Sequence, residues 1–403
     1  MTETIHLGNG LPPTRERPLD PSDVLAQIRA QAPIAPFTFA DGHAGWLVTG
    51  YAQAKAILTD PRFSARAEYS HPAIAGERAQ SFNPADYPPG MFSKMDGEEH
   101  SRFRKLFAGQ FTARRINELT DRITEVAEGH AKAMLAAGPP ADLTTDFAVP
   151  VSSMVICELL GVPYEDRDRF EKDTATFLNH ASSYEDSKTA IGSIYMFLAE
   201  LVQRRAADPA DDVLSAVVAS GELSAPEVIG ACLGMLIAGF EGSASQLALG
   251  MYTLLTNPEQ QAVLRADESI MDNAVEELLR YLSVVKDGTQ RCPVEDLEID
   301  GVLLKKGETA LVHVAAANRD PARFADPDRL DLRRTDAAGH LALGYGPHIC
   351  LGQQLARVQM RVGYGTLLRT FPDLRLAKPV AEIPVGVGMA LQGVRNLPVT
   401  WGR

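Results

Sequence analysis

From Val228 to Asn257 the chain runs for thirty residues with one charged side chain, Glu241. A helix of that length could span a bilayer. The stretch also holds Gly230, Gly234, Gly239, Gly242 and Gly250, with Ser243, Ser245 and Gln246, and no basic residue flanks either end. Membrane spans carry their basic residues at the flanks, so a helix apolar on nearly every side is better explained by burial inside a large soluble body. Ser224-Ala225-Pro226-Glu227 in front of it reads as a capping box with a proline in the first turn. Asn257-Pro258 ends the run and opens another helix. The remaining chain must therefore enclose one long apolar helix.

Most of the rest has helical spacing. Ile116, Leu119, Ile123, Val126, His130 and Met134 recur at helical intervals until Gly138-Pro139-Pro140 stops them. Segments 151–161, 165–182, 188–207, 211–220 and 272–281 read as helices too. Strand patterns are few and scattered: 45–49, 297–299, 302–304, 310–314 and 398–401, with Asp300-Gly301 and Lys306-Gly307 as turns. The fold class predicted is mainly α with a minor β part, its sheet assembled from distant segments. No linker, repeat or charge block divides the 403 residues, so residues 1–403 are expected to form a single domain with about twenty irregular residues at the start. Met1 to Asp20 is polar and proline-bearing, unlike a signal peptide or anchor. Four scattered cysteines argue against a disulfide scaffold and fit a reducing cytoplasm. A net charge of -13 disfavours nucleic acid or an anionic membrane as a general partner.

Cys157, Cys232 and Cys292 have the surroundings of small buried hydrophobes. Cys350 differs, lying in Gly344-Tyr345-Gly346-Pro347-His348-Ile349-Cys350-Leu351-Gly352, just ahead of a helix beginning at Gln353. The glycines allow close backbone approach and positive φ at 344, 346 and 352. The helix start directs N–H groups at the sulfur and favours thiolate over thiol. With no second cysteine nearby, a zinc knuckle or CxxC pair is excluded. What remains is a single axial ligand to haem iron, where thiolate favours O–O cleavage.

The Gly-x-Gly-x-His-x-Cys-x-Gly spacing resembles the cytochrome P-450 haem-thiolate monooxygenases, in particular soluble bacterial members that tailor polyketides and macrolides in actinomycetes. The resemblance runs from about residue 20 to the end and implies the P-450 fold, a long central helix over the haem, and haem b bound through Cys350. It makes Glu277-Leu278-Leu279-Arg280 the Glu-x-x-Arg signature, with Arg329 as the third member of a buried structural triad. His100, Arg104, Arg291 and His348 match positions that bind the haem propionates. Ala238-Gly239-Phe240-Glu241-Gly242-Ser243 matches the oxygen-handling segment, with Glu241 as its acid. Two departures stand out. Gly242 replaces the customary threonine, so the hydroxyl that helps deliver protons is missing; Ser243, an extra water or a substrate hydroxyl could replace it. Leu343 stands where the family usually has phenylalanine.

The resemblance further implies dioxygen as co-substrate and, as no flavin or nicotinamide motif is visible, electrons from a separate ferredoxin and ferredoxin reductase. Arg102, Lys105, Arg114, Arg115 and Arg357 could form a docking patch. A cytoplasmic monomer is expected. By family position the substrate pocket draws on 64–94, the helices around 174–200, 282–289 and 385–391, with Phe240, Val285, Lys286, Thr289 and Met389 as candidate contacts. Lys286 either anchors a polar substrate group or pairs with Asp287. The leading expectation is hydroxylation or epoxidation of a bulky, hydroxylated secondary metabolite such as a macrolide. Alternatives are oxidative coupling or ring formation on the same haem, and a non-catalytic haem sensor or carrier.

Overall fold

The computed structural model describes residues 10–11, 19–74, 83–163, 166–179, 182–386 and 391–402. Its axis is the helix Ala225–Thr256, entered through the expected capping box: the Glu227 carboxylate accepts from the Ser224 N–H at 2.7 Å. Residues along most of its length are buried, including Ile229, Leu233, Leu236, Leu247 and Leu254. Helices Val149–Leu160, Arg167–Leu178, Tyr184–Ala207 and Gln353–Thr370 pack around it and share one apolar core with it. The long helix is thus sheathed by protein over most of its surface, as its composition required.

The sheets are small. Five short strands lie in the order Ile34–Thr38, Ala44–Val48, Ala310–Val312, Thr289–Pro293 and Phe63–Ser64. Ala44–Val48 pairs in parallel with Ala310–Val312 across a long stretch of sequence. Leu297–Ile299 and Val302–Leu304 form the expected hairpin, and Pro398–Thr400 joins a separate three-stranded sheet. Pro36 lies in an edge strand, where the missing N–H costs no ladder bond.

Candidate functional site

The Cys350 loop hangs between two anchors. Gly344 and Gly346 take φ of 76° and 70°, as their place in the sequence required. At Gly346 an added β-carbon would also crowd the Leu58 carbonyl. Gly352 departs from expectation. Its φ is -86°, ordinary for any residue, and it serves as the N-cap of Gln353–Thr370. The Cys350 N–H donates to the Leu343 carbonyl at 2.8 Å and closes the loop. Burial pushes the Cys350 thiol up, while the Gly352 N–H and the charges of Arg104 and Arg357 pull it down without offsetting burial. A cation coordinated by the sulfur would add to that downward pull and hold the thiolate.

Behind the loop sits the Glu277–Arg280 pair, both side chains 0% exposed, joined at 2.6 and 2.8 Å. Arg280 also donates to the Asn318 and Pro327 carbonyls at 2.9 and 2.8 Å, fastening the helix Met271–Leu282 to the segment leading into the cysteine loop. The third partner is Arg334, not Arg329. Arg334 Nε lies 3.2 Å from Glu277 Oε1 with its side chain 8% exposed. The Arg329 side chain is 66% exposed and faces Asp331 at 3.7 Å; only its backbone carbonyl touches the cluster. The left-handed turn at Asp326, φ 44°, starts the irregular path that turns Arg334 inward.

On the other side of the cysteine, five basic groups converge. The His100 and His348 rings lie 4.1 Å apart, and the Arg291 side chain is buried. Burial, then Arg291, His100, Arg104 and Lys94, push the His348 imidazole down to about 3. Arg291 is lowered to about 10 by burial, and Lys94 to about 8 by burial and Arg291. A nearby carboxylate that acts on this group, Asp96, is already held by the Ser64 hydroxyl at 2.5 Å and the Ala65 N–H at 2.8 Å. Three cations, Arg291 buried and Lys94 and Arg104 half-buried, crowd together with two imidazoles, an arrangement stable only with anions between them. A group bearing two carboxylates beside the Cys350 sulfur fits. His100, Arg104, Arg291 and His348 were legible in the sequence; Lys94 was not, because it lies in the short turn Phe92–Lys94 with no periodicity around it.

The long helix forms the opposite wall. Residues 88–91 pack on its first half so closely that a β-carbon on Gly230 would overlap the Pro89 carbonyl, and one on Gly234 would press the Met91 sulfur at 2.8 Å. Phe92 continues this segment to His100, ring centroids 6.5 Å apart. Further along the same stripe the wall opens: Ala238 is exposed, and a β-carbon on Gly242 would meet nothing within 4 Å. Tyr364, on the helix that follows Cys350, donates to the Gln246 carbonyl at 2.8 Å and ties the two walls together.

This sorts the oxygen-segment residues. Ala238 and Gly242 face the open space. Gly239 does not: a β-carbon there would strike Ile156 at 2.9 Å, so its smallness serves helix packing. Phe240, expected as a substrate contact, is 3% exposed with its ring edge-on to Phe170 at 6.1 Å, which makes it core. Burial raises the Glu241 carboxyl, opposed by the charge of Arg395 and a hydrogen bond with Ser245. Ser243 is 8% exposed. Of the other substrate candidates, Val285 bridges Leu391 and Thr289 opens a strand, both half-buried. The Lys286 ammonium is 3.4 Å from the Gly386 carbonyl, which engages it in joining two backbone segments. Met389 lies outside the described residues.

A sulfur in a glycine loop, a dianion-sized cation cluster and a helix with an open stripe define a haem-thiolate protein. The Cytochrome P450 family model matches residues 194–379. The chain is 45% identical to Cytochrome P450 105C1 of a Streptomyces species, over 96% of this chain and 97% of that protein. It is 39% identical to Vitamin D3 dihydroxylase of Streptomyces griseolus, covering 97% and 96%. A crystal structure of CYP105P1 in complex with filipin I superposes with a TM-score of 0.90 at 39% identity, covering 98% and 99%. The chain belongs to the cytochrome P450 family, and with it come haem b on a cysteine thiolate, a small-molecule substrate, dioxygen and redox partner proteins. The non-catalytic alternative loses its support.

Proposed function

We propose that this monooxygenase inserts one oxygen atom, by hydroxylation or epoxidation, into a bulky hydroxylated secondary metabolite of macrolide type, with a reduced ferredoxin as electron donor. The observation that carries the reading is the open space at Gly242. A substrate hydroxyl or a water fits where a threonine side chain would otherwise stand. Large ligands are compatible with relatives of this shape: one is named for dihydroxylating vitamin D3, and another was crystallised with filipin I.

Haem b, when bound, supplies dioxygen binding and activation, its thiolate ligand favouring O–O cleavage. The protein's own groups do the rest. Cys350 would hold the iron, Lys94, Arg104 and Arg291 would neutralise the propionates, and His100 and His348 would donate hydrogen bonds to them. Glu241, its carboxyl raised by burial, keeps a proton at higher pH than a solvated glutamate and can hand it along water toward the open stripe. Gly242 leaves that final step to a hydroxyl the enzyme does not own.

The test compares a hydroxylated substrate with its deoxy analogue, measuring product per NADPH consumed. Wild type is expected to couple several-fold worse with the deoxy analogue, and Gly242→Thr to remove the difference. Equal coupling of both substrates by wild type, with Gly242→Thr improving both, would sink the proposal.

A further inference from the structure

Glu276 is the residue beside the Glu-x-x-Arg glutamate, and it faces the other way. Its carboxylate receives the Arg357 guanidinium as a fork, Nε at 2.5 Å and Nη2 at 3.1 Å. His340 Nε2 lies 3.3 Å from its second oxygen, off the line of a good hydrogen bond. The His340 ring accepts the Ala342 N–H at Nδ1, 3.1 Å away, so its proton sits on Nε2, toward the carboxylate. The His340 side chain is 2% exposed and that of Glu276 14%. These contacts bracket the cysteine loop. His340 stands at its entrance, and Arg357 lies seven residues beyond Cys350 on the helix that leaves it. Arg357 is further fixed by the Gln353 carbonyl and side-chain oxygen at 3.2 and 3.1 Å, and its positive charge acts on the Cys350 sulfur.

We propose that Glu276 is a positioning residue for the thiolate ligand, holding the Arg357 guanidinium beside the cysteine loop and setting, by its own negative charge, how much of that positive charge the sulfur and iron experience. Reduction of the iron adds an electron, which positive charge nearby favours and negative charge opposes. The sequence reading gave Arg357 to a partner-docking patch. Bound this way, it belongs to the cysteine loop. The inference rests on the haem-thiolate reading and adds a residue that reading does not contain.

The experiment measures reduction potentials of the haem-loaded protein for wild type, Glu276→Gln, Arg357→Gln and the double variant, with carbon-monoxide difference spectra alongside. Glu276→Gln leaves Arg357 unneutralised and should shift the potential positive. Arg357→Gln should shift it negative, and the double variant should lie nearer wild type than either. Arg357→Lys keeps the charge and should retain the wild-type sign of field even if the fork is lost. A merely structural clamp would give shifts of one sign for both single variants, or none, and either result overturns the proposal. If Glu276→Gln loses haem, the opposed pair Arg357→Gln and Arg357→Lys decides it: equal potentials refute it. A wild-type protein lacking the strongly red-shifted Soret band would overturn the haem-thiolate reading itself; a normal band with unsigned shifts overturns this inference alone.

Discussion

Arg334→Ala and Arg329→Ala should separate sharply in stability, though both lie within the same short arginine-rich turn. Arg334 donates to Glu277 at 3.2 Å and to the carbonyls of Ala325, Asp326 and Arg329 at 2.7, 3.0 and 3.3 Å. Truncating it leaves Glu277 with Arg280 and the Asp331 N–H at 3.0 Å, so the carboxylate keeps partners but loses a compensating charge. Stripping one partner from a buried ion pair costs about 3–5 kcal/mol. Here the released carbonyls lie near the surface and can rehydrate, which puts the loss at roughly 2–4 kcal/mol. Arg329, two-thirds exposed against Asp331 at 3.7 Å, should cost no more than about 0.5 kcal/mol. The assay is the urea midpoint, read in parallel by far-UV circular dichroism and haem absorbance. Equal losses, or a greater loss for Arg329→Ala, would refute the assignment of Arg334 to the triad.

Two substitutions on one helix stripe should behave oppositely: Gly230→Ala overlaps the Pro89 carbonyl and should lower Tm, whereas Gly242→Ala enters open space and should raise stability by up to ~1 kcal/mol. Glu276 gives a pH signature. Burial would raise its carboxyl, but the hydrogen-bonded Arg357 guanidinium, with the His340 ring beside it, holds it at about 2. A depressed folded-state pKa stabilises above the unfolded value and is lost as pH falls. The stability gap between wild type and Glu276→Gln, about 3 kcal/mol at most at pH 7, should shrink below about pH 4.3 and vanish near 2 in a pH series of urea midpoints.

Local signals carried most of the helical fold. The capping box, Asn257-Pro258, Gly138-Pro139-Pro140 and the Asp300-Gly301 turn each act within a few residues, so the elements they bound were readable. The strand Ile34–Thr38 was not, because Pro36 reads as a breaker and only the edge position makes it tolerable. Arg334 was missed for a related reason: in an irregular turn no period says which arginine points inward. Lys94 and the Glu276 cluster depend on contacts across distant segments, which no window of sequence contains. Conversely, Gly239 and Gly242 look alike in sequence, and only the neighbour at Ile156 shows that one is small for packing and the other for the open site.

The proposed basic patch illustrates how charge count and available charge differ. Arg102 pairs with Glu227 at 2.7 Å, Arg115 with Asp211 at 2.6 Å, Arg357 with Glu276 at 2.5 Å and Arg114 with Glu118 at 3.7 Å. Each such pair projects a weak dipole field, not a full charge, beyond a Debye length of about 8 Å. Lys105 is exposed and makes no ion pair among the described residues. The ferredoxin proposed above as electron donor, were it to dock through these residues, should therefore be steered chiefly by Lys105, with Arg114 next. Lys105→Glu should slow ferredoxin-dependent reduction several-fold at low ionic strength, through the association rate and not the rate at saturating ferredoxin. Arg115→Gln should change it less, since it alters the local charge by one unit, leaving Asp211 unpaired, where Lys105→Glu alters it by two. Stopped-flow reduction across a salt series reads both; equal effects of the two substitutions, or a Lys105→Glu effect that survives high salt undiminished, would place the docking site elsewhere.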